Sequence, residues 1–253
     1  MLRFIRPSIG DSAFQAANAH LKTAAMELAF KRHGEAMLEA IAKLREQLDE
    51  PSPVIAELEA AAGAHASNTE ATHAEGLAAA RQEIEAVRAL VGGWMLPKRD
   101  IGFFLEGFRR CYARARKLIA EGLETGNTQT LHEARKSVIH HLHHLEILEP
   151  IWPRMFKVWC DELGRLRESL GDLNDLEELE KLMADPESAF GRIASADAAR
   201  QLIHTRRKRL IDRIRKRGEQ LFAERPGSLS RRLGLLWESW ERREARPVAE
   251  HVD

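Results

Sequence analysis

The sequence predicts an all-α protein, and three observations carry that reading. Alanine, leucine, glutamate and arginine dominate the chain, and all four are good helix formers. Runs of alternating Val, Ile and Thr are almost absent, and there is one tyrosine, so half-buried strands find no support. Apolar residues return every three or four positions instead, which buries one face of a helix. The 253 residues suit one large domain or two small ones, either able to enclose a core.

Gly10-Asp11 is expected to open the first helix, with Asp11 or Ser12 as N-cap. Phe14, Ala17, Leu21, Ala25 and Leu28 form its apolar stripe. The helix continues to Leu48, kinked near Gly34, until Pro51-Ser52-Pro53 stops it. A short helix follows over Val54–Ala62, then a small, polar loop over Gly63–Thr69. Glu70–Leu90 is helical, Gly92-Gly93 breaks it, and Trp94-Met95-Leu96-Pro97 reads as an apolar turn. The next helix spans Ile101–Leu123 and ends at Gly126-Asn127. Thr128 or Thr130 caps its successor, whose buried face holds Leu131, Val138, Leu142, Leu145 and Leu148. Pro150 and Pro153 separate that helix from one running to Met183. Asp185-Pro186 makes a turn; helices over Glu187–Gln220 and Ser228–Glu244 follow, and the tail from Pro247 frays.

A faint repeat runs through this pattern. LRFIRPSIGDSAF near the start is similar to LEILEPIWPRMF from Leu145, with Pro7 against Pro150, Leu21 against Leu163 and Leu28 against Leu170. It implies two related helical halves, residues 1–91 and 92–246, before the tail at 247–253. The second copy has a helix before its proline junction. The first begins at the junction, so its first helix is expected to be missing.

Formal net charge is zero, but acids prevail from Glu35 to Glu85 and bases from Lys98 to Lys117 and Arg200 to Arg217. Cys111 and Cys160 read as reduced, buried thiols. Arg3, Arg6 and Pro7 interrupt the apolar start, which therefore lacks a secretory leader's core. No apolar run reaches membrane-spanning length. A soluble, cytoplasmic protein without a membrane partner is expected.

The helix after Asn127 carries the most chemistry. His132, Arg135, Lys136, His140 and His143 share one face, with no acid four residues on. Three readings stay open. His140 with His143 or His144 has the spacing of a metal pair, but no third ligand stands nearby and HEAR is not HEXXH. Histidines packed at a helix interface are the commoner case. The third reading is a row of charge-assisted donors for a long anion. FRRCYARARK puts Arg110, Arg114 and Lys117 on one face, and Arg109, Tyr112 and Arg116 on the other. HTRRKRLIDRIRKR buries Leu202, Ile203, Leu210, Ile211 and Ile214 and offers Arg206, Arg207, Arg209, Arg213 and Arg217. It has no aromatic platform for bases, so specific nucleic-acid binding is not expected. LGDLNDL presents Asp172 and Asp175, able to hold Mg²⁺ or act as an acid/base pair, and more often simply partners of basic helices. Trp152, Trp159, Trp237 and Trp240 read as packing. No phosphate loop or nucleophile motif is present, so neither catalysis nor a cofactor is expected.

HEARKSV at His132–Val138, LEPIWP at Leu148–Pro153 and LGDLNDL at Leu170–Leu176 resemble the CHAD family, the histidine-containing α-helical domains. FRRCYARARK before them, and RRKRL, GEQLFAERP and RRL after them, are similar too. The resemblance spans Gly92–Trp240, and LRFIRPSIGDSAFQAANAHLKTAAMELA looks like helices of the family's first half. It implies two four-helix bundles related by a pseudo-twofold axis. It also implies a basic, histidine-bearing surface that binds inorganic polyphosphate, and association with polyphosphate granules. By motif, His132, Arg135 and Lys136 become anion ligands, with Arg110, Arg114 and Arg116 as candidates. His140, His143, Arg206, Arg207 and Arg213 complete the expected polyphosphate set. Ile139 stands where the family has another base, and Arg32-His33 replaces an Arg-Asp pair. A homodimer is one way to supply the half-site expected to be missing. A metal-dependent phosphohydrolase using His140, His144, Asp172 and Asp175 is the rival reading, and a helical scaffold without ligand is the third.

Overall fold

A computed structural model describes residues 2–67, 73–95 and 101–245. Among them the chain is all-α: α1 (Leu2–Glu27), α2 (Ala29–Arg45), α3 (Pro53–Ser67), α4 (His73–Gly92), α5 (Ile101–Thr125), α6 (Thr128–Leu148), α7 (Pro153–Ala184), α8 (Ala196–Leu221) and α9 (Pro226–Glu244). Short 3-10 turns lie at Glu149–Ile151 and Phe190–Arg192. Expectations for residues 68–72, for Leu96-Pro97 and for the tail from Pro247 lie outside the described residues.

The chain forms two compact units that interleave in sequence. One contains Met1–Asp11, Met95–Arg167 and Lys216–Asp253; the other contains Ser12–Trp94 and Glu168–Arg215. The expected division at residues 91/92 followed chain order, whereas these units draw α1, α7 and α8 each into both.

In the first unit, α5 and α6 form a hairpin across Gly126-Asn127. Gly126 has φ 65°, a left-handed conformation open to glycine at no steric cost. The cap of α6 is Asn127, whose side chain accepts from the Thr130 N–H at 3.0 Å. This replaces the expected Thr128 or Thr130, because the residue before the first turn is the one positioned to cap it. Asn127→Ala is expected to lower stability by about 1 kcal/mol, read by urea unfolding. Gly122 lets the helices meet: a Cβ there would lie 2.7 Å from Leu131. Phe108, Tyr112 and Ile119 of α5 and Leu131, Val138, Leu142, Leu145 and Leu148 of α6 are all buried, as the leucine stripe predicts. Tyr112 is fully buried, not on an exposed face beside Arg109 and Arg116. Its hydroxyl donates to the Glu224 carbonyl at 2.9 Å, and burial pushes its pKa up to about 12. Trp152 is half exposed and does not serve the core, while the rings of Trp237 and Trp240 pack against each other, tilted at 51° with centroids 5.0 Å apart.

In the second unit, Phe14, Ala17, Met37, Ile41, Leu44 and Leu58 are buried with Leu170, Leu173, Leu176, Ile203, Leu210 and Ile214. Leu21 and Ala25 are exposed; the buried stripe of α1 passes through Ala24 instead. Helix α1 is helical before Gly10 as well, and Gly10 (φ 79°, ψ 166°) is a kink inside it rather than its start. The chain breaks again at Leu28, not at Gly34. Helix α3 runs through Gly63 to Ser67, where a loop was expected; alanine propensity outweighs one glycine. Residues 187–195 are not α-helical. The Asp185 carboxylate accepts from the Glu187 N–H at 2.9 Å and the Ser188 hydroxyl from the Phe190 N–H at 3.2 Å, and such short side chains compete with helical bonds. Ser195 opens α8, giving its N–H and hydroxyl to Glu57 at 2.9 and 3.0 Å.

Candidate functional site

The α5–α6 hairpin carries the basic face. Lys136 of α6 and Arg110 and Arg114 of α5 are exposed, and His132, Arg135, His140 and His143 are half-buried. His141 and His144, one position further round α6, are completely buried. The helix thus sorts its histidines into two surfaces, as helical spacing requires.

The outer surface is not cationic alone. Acids stand three residues away from several of its bases. Glu133 accepts from Lys136 Nζ at 2.6 Å through Oε1. Its Oε2 accepts from Arg114 Nη2 at 3.5 Å. One carboxylate therefore ties α5 to α6 between two cations. Hydrogen bonding from Lys136, helped by the charges of Lys136, Arg114 and His132, outweighs burial and holds its pKa below the usual carboxylate range. His143 meets Glu146 at 2.7 Å, and Glu106 takes Arg109 in a bidentate pair with Arg110 3.8 Å away.

The charge of Arg3, a residue outside the set expected from the sequence, also acts on this face. Burial, then the charges of Arg3, His143 and Arg114, push the His140 pKa down to about 4. Near neutral pH His140 offers a donor and no charge. Burial raises the pKa of Cys111, although the charges of Arg3, Arg110 and Arg114 work to lower it. The signal for Arg3 was present as a base in a break of the apolar start, four residues before the proline junction at Pro7.

Arg116 leaves α5 about 200° round from Arg114 by helical geometry; its charge acts on Tyr112 instead. Arg206, Arg207 and Arg213 lie in the second unit. Arg206 is buried and donates to Asp172 at 3.1 Å, and Arg207 donates to Glu180. Arg213 is exposed. Asp172 also accepts from Lys43 Nζ at 2.7 Å, so it acts as the partner of basic residues. No group of three or more His, Cys, Asp or Glu residues able to hold a metal occurs among the described residues. Both cysteines are free, Cys111 buried and Cys160 only partly so.

A family model for the CHAD domain matches residues 1–184. The chain belongs to the CHAD family. The match takes in the hairpin, HEARKSV and LGDLNDL, and ends with α7. The resemblance read onward to Trp240 lies beyond it. No curated protein and no solved structure matches this CHAD chain. Among the described residues, no helix is long and apolar enough to cross a membrane.

Proposed function

We propose that this CHAD protein binds inorganic polyphosphate on the α5–α6 face and performs no chemistry on it. The observation that carries this reading is the placing of Lys136 and Arg114, from two helices, on the two oxygens of one anionic group at 2.6 and 3.5 Å. A phosphoryl group presents oxygens of similar spacing, and ammonium and guanidinium donors suit it. Arg3, Arg110, Arg135, His132, His140 and His143 extend the face, so successive phosphates of one chain find successive donors. The family's association with polyphosphate supports the same ligand. The proposal rests on first-unit residues; in the second unit Arg206 is buried against Asp172 and Arg207 is only 30% exposed beside Glu180. Association with polyphosphate granules would follow from such binding.

Long-chain polyphosphate is expected to bind at low salt, and more weakly as salt rises. Arg135→Ala with Lys136→Ala is expected to weaken binding about tenfold or more. It should also flatten the log–log salt slope by about 0.7 per lost contact, by analogy with single-stranded nucleic acid. Unchanged affinity in that variant would remove the site from this face. The interleaving of Glu106, Glu133 and Glu146 favours a second reading, a ligand-free scaffold with a solvated charged face. Correct folding with no rise in melting temperature on adding polyphosphate would decide for it.

A further inference from the structure

We infer that Glu133 is a built-in competitor anion, occupying the centre of the basic face and setting how strongly an outside polyanion must bind to enter. The inference rests on the polyphosphate reading and assigns its regulation to one residue. Glu133 does what a bound phosphoryl group would do: one oxygen on Lys136 at 2.6 Å, the other towards Arg114 at 3.5 Å. Phosphate oxygens cannot reach both cations while that carboxylate stays, because like charges at such range repel.

The carboxylate is also free to leave. Its side chain is 34% exposed, and the helix does not depend on it. The hydrogen bond that Ser137 donates here goes to the Glu133 backbone carbonyl, which any residue supplies. Lys136 and Arg114 are 52% and 58% exposed, so the ion pairs give way to a better anion in water. A single small anion gains little by displacing Glu133. A chain that also meets Arg110, Arg135 and the outer histidines gains several contacts for the same displacement. Glu133 thereby favours chains over isolated phosphate and keeps the two helices' cations in register while the face is empty.

The test compares wild type, Glu133→Gln and Glu149→Gln for long-chain polyphosphate binding over a salt series. Glu149 is exposed and lies in the turn after α6, so its variant makes the same change of net charge elsewhere. Glu133→Gln is expected to bind about fivefold to tenfold tighter, with a slope steeper by about 0.7 for each cation released. Glu149→Gln is expected to change affinity less than about twofold. An equal gain in both variants would reduce the effect to net charge and overturn the inference. No gain in Glu133→Gln, while wild type binds, would overturn it and leave the polyphosphate reading standing. Binding by Glu133→Gln alone would show the competitor at full strength. No binding by any of the three would end both readings.

Discussion

Lowering the pH from 7 to 4.5 is expected to remove about 3 kcal/mol of stability through His141 alone. His141 is fully buried and walled by aromatic rings: Phe108 at 4.8 Å, Tyr112 at 5.2 Å, Phe222 at 5.7 Å and Trp159 at 6.3 Å between centroids. Neither ring nitrogen has a hydrogen-bond partner among the described residues. Burial pushes its pKa from 6.5 down to about 3. The folded pKa lies below the unfolded one, so the unfolded chain takes the proton first. Stability is complete above about pH 6.5 and drains as pH falls towards 3. At pH 4.5, two units below the unfolded value, one such histidine costs two times about 1.4 kcal/mol. His144, also pushed down chiefly by burial, to about 2, adds a loss of the same sign. His141→Phe keeps an aromatic ring in the box and removes the titration. Urea unfolding followed by tryptophan emission is expected to show little change at pH 7 and a smaller acid loss. An acid profile identical to wild type would rule His141 out as the cause.

Asp172→Ala is expected to cost about 3 kcal/mol, because it strips the anion from two cations at once. The Asp172 side chain is 15% exposed, that of Arg206 11% and that of Lys43 28%. Burial works to lower the Lys43 pKa, yet Asp172 and Glu39 hold it above its ordinary value. Lys43 keeps Glu39 if Asp172 is lost; Arg206, only 11% exposed, loses the carboxylate that its guanidinium meets at 3.1 Å. Replacing a buried pair by apolar residues is often nearly neutral, whereas breaking one half is not. Asp172→Leu with Arg206→Met is therefore expected to recover much of the loss. A cost below about 1 kcal/mol for Asp172→Ala would mark the pair as equivalent to a surface one.

Helix positions were legible because apolar spacing and proline and glycine breaks are local signals. The buried stripe of α6 follows its leucines, and α7 starts at the predicted Pro153. What stayed hidden depends on distance in the chain. Glu133 escaped notice because its pairs are three residues away and across a hairpin. Asp172 meets Lys43 from 129 residues off, so its structural role has no local signature. Arg206 and Arg207 looked like part of a basic surface, yet acids of another helix take them up. His141 and His144 differ from His140 and His143 only in register, and histidine as a residue type does not announce burial. The kink at Gly10 looked like a helix start because glycine and aspartate mark both.

The two-residue link between α5 and α6 also bears on the order of assembly. Closing a loop costs more entropy as the chain between its ends lengthens. Arg114 meets Glu133 across 19 residues, whereas Tyr112 reaches its Glu224 acceptor across 112. Contacts local in the chain form sooner than distant ones. The Arg114–Glu133 pair of the charged face is thus closed between near neighbours in sequence, at a smaller entropy cost than the contact of Tyr112 with Glu224.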